Sequence, residues 1–107
     1  MNKTLENIKA LICKSEVRIS DHGYDELSSD NLLAREVVEG VSEAVIVEDY
    51  PDYPKGSCVL VLQKDREQRP IHVVWGIPKG HSSPAVLITA YRPDPEMWED
   101  DYPRRRK

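Results

Sequence analysis

No stretch of this chain is apolar for the roughly 18 residues that a membrane-spanning helix requires, so a membrane partner is not expected. The start, Met1-Asn2-Lys3-Thr4-Leu5-Glu6, has neither the apolar core nor the small-residue cleavage site of a secretory signal, and a cytoplasmic location is expected. Cysteine is scarce. Cys13 and Cys58 stand alone, with no Cys-x-x-Cys pair and no Cys/His cluster, which reads as two small buried hydrophobes in a reducing compartment. The Gly-x-x-x-x-Gly-Lys-Ser/Thr spacing of a nucleotide P-loop does not occur. No internal repeat or low-complexity linker divides the chain.

What is present fits one domain over residues 1–107, with 39% hydrophobic residues for a modest core and 32% charged residues for its surface. The net charge is −4, and Arg104-Arg105-Arg106-Lys107 carries four of the fifteen basic residues; taking those four charges from −4 leaves the body near −8. An acidic body argues against a broad nucleic-acid-binding face, since phosphate contacts need clustered cations. The basic tail is read as a disordered solubilising end, or as a contact for RNA, membrane phosphate or an acidic partner.

The first part of the chain, about 4–41, has helical periodicity. Thr4 is a candidate N-cap, and Leu5, Ile8, Leu11 and Ile12 share one face. Val17 and Ile19 hint at a short extended piece, after which Ser20 or Asp21 caps a second helix. Asp30-Asn31 is a break, Leu33, Val37 and Val41 repeat at helical spacing, and Gly40 is placed to stop that helix. From Ala44 to Arg92 the period changes to that of strands: Val45-Ile46-Val47, then runs over 57–64, 70–77 and 84–91. Helices followed by an antiparallel meander predict an α+β domain, with N-terminal helices packed on a small antiparallel sheet. Residues 93–107 form a C-terminal turn and the basic tail. In the turn, Glu96-Met97-Trp98 starts a short helical piece, and Trp98 packs back on the sheet as a lid or binds a ligand.

Pairing the last two runs around the loop 78–83 predicts Ile77 opposite Pro84, Trp75 opposite Val86 and Val73 opposite Ile88. That face is apolar and should cover the helices. The other face then sets His72 opposite Thr89, with Tyr91 diagonal to both. This second face is the candidate working face.

Four groups on this framework could carry chemistry. His22 and Glu26 are four apart, so a carboxylate can orient the imidazole as a general base requires; a helix-start residue bonded to nearby backbone explains His22 as well. His72 is the imidazole of the working face. Lys79-Gly80-His81-Ser82-Ser83 offers a cation, an imidazole and two hydroxyls on a loop that can hold a phosphate, or that is polar for solubility alone. Tyr91 can donate a proton or stack on a base, and Arg92 can grip a phosphate bidentately. No third ligand has metal-site spacing, so neither metal nor cofactor is expected.

Three segments, Val17-Arg18-Ile19-Ser20-Asp21-His22-Gly23, the helix ending in Glu39-Gly40-Val41, and Val86-Leu87-Ile88-Thr89-Ala90-Tyr91-Arg92-Pro93-Asp94-Pro95, together resemble the bacterial domain-of-unknown-function family numbered 4258. The resemblance runs from about Glu16 to Trp98. That family is similar to the RelE/MqsR/BrnT group of toxin-like ribonuclease folds. The resemblance implies a RelE-like fold and the toxin of a type II toxin–antitoxin pair, whose partner is a small DNA-binding antitoxin, often with a zinc-finger segment. The chain departs from the family pattern at Gly23, where Ala is common, and at the acidic Asp25-Glu26, where an Arg commonly follows along the helix. The expected activity is metal-independent endoribonuclease cleavage of mRNA. His22 or His72 is the candidate base, His81 or Tyr91 the candidate acid, and Lys79 and Arg92 the phosphate-binding cations. The competing expectation is a non-catalytic protein-binding or regulatory module of the same fold. Oligomeric state is not legible.

Overall fold

A computed structural model of the protein describes residues 3–93. The expected turn at Glu96-Met97-Trp98, the Trp98 lid and the basic tail lie outside the described residues. The element order is α1 (Lys3–Cys13), β1 (Val17–Ile19), α2 (Asp21–Ser29), α3 (Ala34–Glu39), a 3-10 turn (Gly40–Glu43), β2 (Val45–Tyr50), β3 (Cys58–Lys64), β4 (Pro70–Gly76) and β5 (Ala85–Tyr91). This is an α+β fold, as expected. The sheet, in the order β1-β5-β4-β3-β2, is mixed rather than wholly antiparallel, because β1 runs parallel to β5.

Local chemistry places the helices. Leu5, Ile8 and Leu11 are buried along one face of α1, with Ile12 packed beside them. The helix has already begun at Lys3, one residue ahead of the expected cap. Ser15 closes it in a left-handed conformation (φ 62°), with Ser15 N–H donating to the Ile12 carbonyl and Glu16 N–H to the Leu11 carbonyl. That is a Schellman closure. Asn31 (φ 55°) closes α2 the same way, through Leu32 N–H to the Leu27 carbonyl and Asn31 N–H to the Ser28 carbonyl. Ser20 caps the start of α2, its hydroxyl oxygen accepting from Gly23 N–H at 2.9 Å. One expectation in α3 fails: Leu33 is 54% exposed at the helix start rather than in the core. Gly40 is the C-cap where α3 stops, as expected, but in a right-handed conformation (φ −73°) that leads into the 3-10 turn.

The core lies between the helices and one face of the sheet, where Val59, Val61, Ile71, Val73, Trp75, Leu87 and Ala90 meet Leu5, Ile8, Leu27, Val37 and Val41. Trp75 is fully buried, as its alternation predicts. The β4–β5 register departs from the expected one by one residue beside the loop, where Trp75 pairs with Leu87, and by two further on, where Val73 pairs with Ala90 and His72 with Tyr91. A bulge at Ile88 adds the second residue. It breaks the period of two, so that Ala85, Leu87 and Ala90 face the core, while Val86 and Ile88, expected there, belong to the opposite face.

One polar side chain ties the two layers together inside the core. Gln63 is 2% exposed; its Oε1 accepts from Trp75 Nε1 at 2.8 Å and its Nε2 donates to the Val37 carbonyl at 2.8 Å. Val37 is in the last turn of α3, where carbonyls have no intrahelical partner, so Gln63 supplies what the helix lacks. Close approach also suits Gly40: a Cβ there would sit 3.1 Å from Gln63 Nε2. Replacing Gln63 with Leu keeps the volume but leaves a buried indole N–H and a carbonyl unpaired. We expect a loss of about 2 to 6 kcal/mol, given about 1 to 3 for each unsatisfied group, read as a lower urea midpoint at unchanged slope.

Candidate functional site

Strands β3, β4 and β5 turn their second face away from the described helices. By register it carries Cys58, Leu60, Leu62, His72, Val74, Val86, Thr89 and Tyr91. His72 and Tyr91 are cross-strand partners there, and their rings meet edge to face at 5.4 Å between centroids. His72 Nδ1 lies 3.3 Å from the Tyr91 hydroxyl. His72 was expected on an open face, yet it is fully buried, whereas Tyr91 is partly exposed. Tyr91 is therefore the more exposed residue of the pair.

The remaining candidates do not join them. Lys79 and His81 are exposed on the loop after Gly76, at the far end of the hairpin. The run from His72 to Ile77 spans about 17 Å at about 3.3 Å per strand residue. His22 is exposed on α2 and faces Glu26, Nε2 to Oε1 at 3.6 Å, the i, i+4 pairing its spacing predicts. Arg92 is the clearest correction. As the residue after Tyr91 it turns to the helix side, and its Nη1 is 2.9 Å from Asp65 Oδ2. It is an anchored structural cation, not a free phosphate ligand. A single concavity holding His72, Lys79, His81, Tyr91 and Arg92 does not form.

Asp65 organises that second cluster. It opens the β3–β4 turn, where its Oδ1 accepts from Glu67 N–H at 2.9 Å and Arg69 N–H at 2.8 Å. Its Oδ2 meets Arg92 and also Arg69 Nε at 3.3 Å. Burial by itself would raise the pKa of this carboxyl. The Arg69 backbone N–H, the Arg92 guanidinium, the Glu67 backbone N–H and the Arg69 charge outweigh it, and hold Asp65 below the ordinary carboxylate range. Asp30, the C-cap of α2, accepts from Arg92 N–H at 3.0 Å and binds the helix end to the same point.

Lys64 escaped the sequence reading. It lies two residues beyond Leu62, the β3 partner of His72, and so on the same face as the His72–Tyr91 pair. It is exposed. The signal was the alternation of β3, which becomes informative only once the β3–β4 register is known. Among the described residues, no three His, Cys, Asp or Glu side chains cluster as metal ligands.

The two cysteines differ in environment. Burial, and then the nearby Asp49 carboxylate, push the Cys58 thiol up; Cys13, expected to be buried as well, is exposed, because it lies off the Leu5–Ile8–Leu11 face of α1. A thiol reagent at neutral pH should therefore label Cys13 alone in the native protein and both cysteines after denaturation. Native labelling of Cys58 at a comparable rate would contradict this burial.

The family model for a domain of unknown function, DUF4258, matches residues 19–92. The chain belongs to this family. The matched region runs from the end of β1 through Arg92, so the DUF4258 unit includes α2, α3, the His72–Tyr91 pair and the Asp65–Arg92 cluster, while α1 lies ahead of it. No curated protein and no solved structure matches the chain. None of the described helices is long and apolar enough to cross a membrane.

Proposed function

We propose that this DUF4258 protein is a toxin-type endoribonuclease of the RelE-like group, cleaving mRNA without a metal ion, with Tyr91 and His72 as its proton-transfer pair. The observation that carries the reading is the His72–Tyr91 contact: an imidazole nitrogen 3.3 Å from a phenol oxygen, with His72 buried and Tyr91 partly exposed. Cleavage of this kind needs a base for the ribose 2′-hydroxyl proton, positive charge on the pentavalent phosphorane and an acid for the leaving 5′-oxygen. Tyr91 is the group that meets the RNA: its oxygen takes the 2′-hydroxyl proton as its own proton passes to His72 Nδ1, and the reverse transfer delivers a proton from Tyr91 to the leaving 5′-oxygen while His72 returns its proton to Tyr91. Lys64, on the same face, supplies the charge that Arg92, bound to Asp65, does not. His22, Lys79 and His81 lie away from this pair and take no part in that step. The proposed protein partner is a small DNA-binding antitoxin, of zinc-finger type.

A second reading, a module that acts only by binding another protein, is favoured by the dispersal of the candidate groups and by one surface feature. Tyr24 (56% exposed) and Leu33 (54% exposed) border a hollow of about 380 Å³ floored by Leu27 and Leu32. Asp21 and Asp25 stand beside Tyr24 on α2, so the occupant that fits is a cationic amphipathic segment of a partner. Induced expression with growth measurement and RNA mapping separates the two. Growth arrest with mapped cleavage supports the nuclease. Wild-type protein that leaves growth and RNA intact, yet binds a peptide of that chemistry with loss of binding in Tyr24→Ala, supports the module.

A further inference from the structure

The loop between β4 and β5 is bonded to the segment that leads into β3. Ile77 N–H donates to the Ser57 carbonyl at 3.0 Å and Lys79 N–H to the Lys55 carbonyl at 3.0 Å, which sets two lysines side by side along the backbone. A turn from His81 N–H to the Pro78 carbonyl, 3.1 Å, then brings the loop back toward α1. Between α1 and this loop is a cleft of about 460 Å³, lined by Asn7, Lys14, Ser57, His81 and Ser82 over an apolar floor that includes Ile77. The lining offers an ammonium, an imidazole, a carboxamide and two hydroxyls, and among the described residues it includes no carboxylate. In a chain with 19 acidic residues against 15 basic ones, that is a local reversal of sign. Glu16 and Asp52 belong to neighbouring segments and do not line the cleft.

We propose that this cleft binds the phosphate group of a phosphate monoester. A phosphate dianion presents several acceptor oxygens around one centre, and the lining presents donors of matching number, two of them able to carry charge. Lys14 provides a mobile point charge, the hydroxyls and Asn7 provide directional donors, and the apolar floor weakens the competing solvent screening. The volume falls in the usual range for small-molecule sites, about 300 to 1,000 Å³, so it admits a sugar as well as the phosphate. The site is separate from the His72–Tyr91 pair, and its occupancy does not depend on any chemistry there.

The test is titration of the full chain with inorganic phosphate, ribose 5-phosphate and uridine 5′-monophosphate, followed through the backbone amide resonances of Lys14, Ser57 and His81. Saturable shifts at those amides are expected. Lys14→Ala and His81→Ala should each weaken binding about tenfold, the usual effect of removing one charge-assisted donor. Arg18→Ala, at an exposed position on β1 outside the cleft, should bind as the wild type does. Equal affinity for the two esters identifies phosphate and sugar as what is read, and tighter binding of the nucleotide adds a base contact; both support the site. Shifts that do not saturate, or an equal loss in Arg18→Ala, would reduce the effect to diffuse charge attraction and overturn the proposal. The three variants alter exposed side chains, and an unchanged amide spectrum confirms their fold.

Discussion

Tyr91→Phe is expected to lower RNA cleavage by about two to four orders of magnitude, the usual effect of deleting one acid–base group. The substitution removes a single oxygen. The ring that packs edge-on against His72 remains, but the buried His72 Nδ1 loses its hydroxyl partner, so a stability loss of about 1 to 3 kcal/mol without unfolding is expected beside the loss of rate. His72→Gln should weaken cleavage too, but with a different signature. His72 is fully buried and acts through the Tyr91 hydroxyl, so its loss should change the pH profile of the rate as well as its height. Cleavage by Tyr91→Phe within a few-fold of wild type would remove the pair from the mechanism. Loss of activity accompanied by unfolding would instead assign Tyr91 a purely structural part, and circular dichroism of the same sample distinguishes the two.

The second large effect is on stability. Asp65→Asn keeps an acceptor for the β3–β4 turn but removes the charge facing Arg92 and Arg69. Breaking a buried pair costs about 3 to 5 kcal/mol. Both arginines are partly exposed, 30% and 57%, so solvent screening reduces the expectation to about 2 kcal/mol at neutral pH. The pH dependence follows from the lowered folded-state pKa of Asp65. Its contribution is complete above the unfolded-state pKa, about 3.9 for an aspartate, and disappears as pH falls through the lower folded-state value. Urea unfolding of wild type and Asp65→Asn should thus differ by a constant amount from neutral pH down to about 4, and converge in stronger acid. A difference that persists undiminished at pH 2 would show that the mutation acts through packing rather than charge.

What the sequence disclosed and what it hid divide along range. Ser20 as a cap, Asn31 as a break and the alternation that buries Trp75 all depend on residues within one turn or one strand, and each is where it was expected. The β4–β5 register was off by one beside the loop and by two beyond Ile88, because neither the pairing nor the bulge leaves a mark in an apolar run: Val86, Leu87 and Ile88 are interchangeable in hydrophobicity, and only packing decides which of them turns inward. The parallel pairing of β1 with β5 joins segments 68 positions apart through contacts such as the Ser20 hydroxyl to the Ile88 carbonyl, and nothing local announces it. Arg92 read as a free cation for the same reason, since its carboxylate partner is 27 positions away. Gln63 sits near a strand end, where a polar residue is ordinarily a surface one, and became a core residue only because Trp75 and Val37 both needed a partner there.

The placement of β1 and β2 at the two rims of the sheet has a consequence for how the protein meets others. An incoming strand needs a long, flat row of free backbone groups to pair with. At one rim it would find β1, three residues long. At the other it would find β2, kinked by a register shift at Val47 and carrying Glu48 and Asp49 on the approach. Among the described residues neither rim is a good template, so growth of the sheet by self-association, the common route from a small β-rich domain to aggregates, is disfavoured by strand length at one side and by shape and charge at the other.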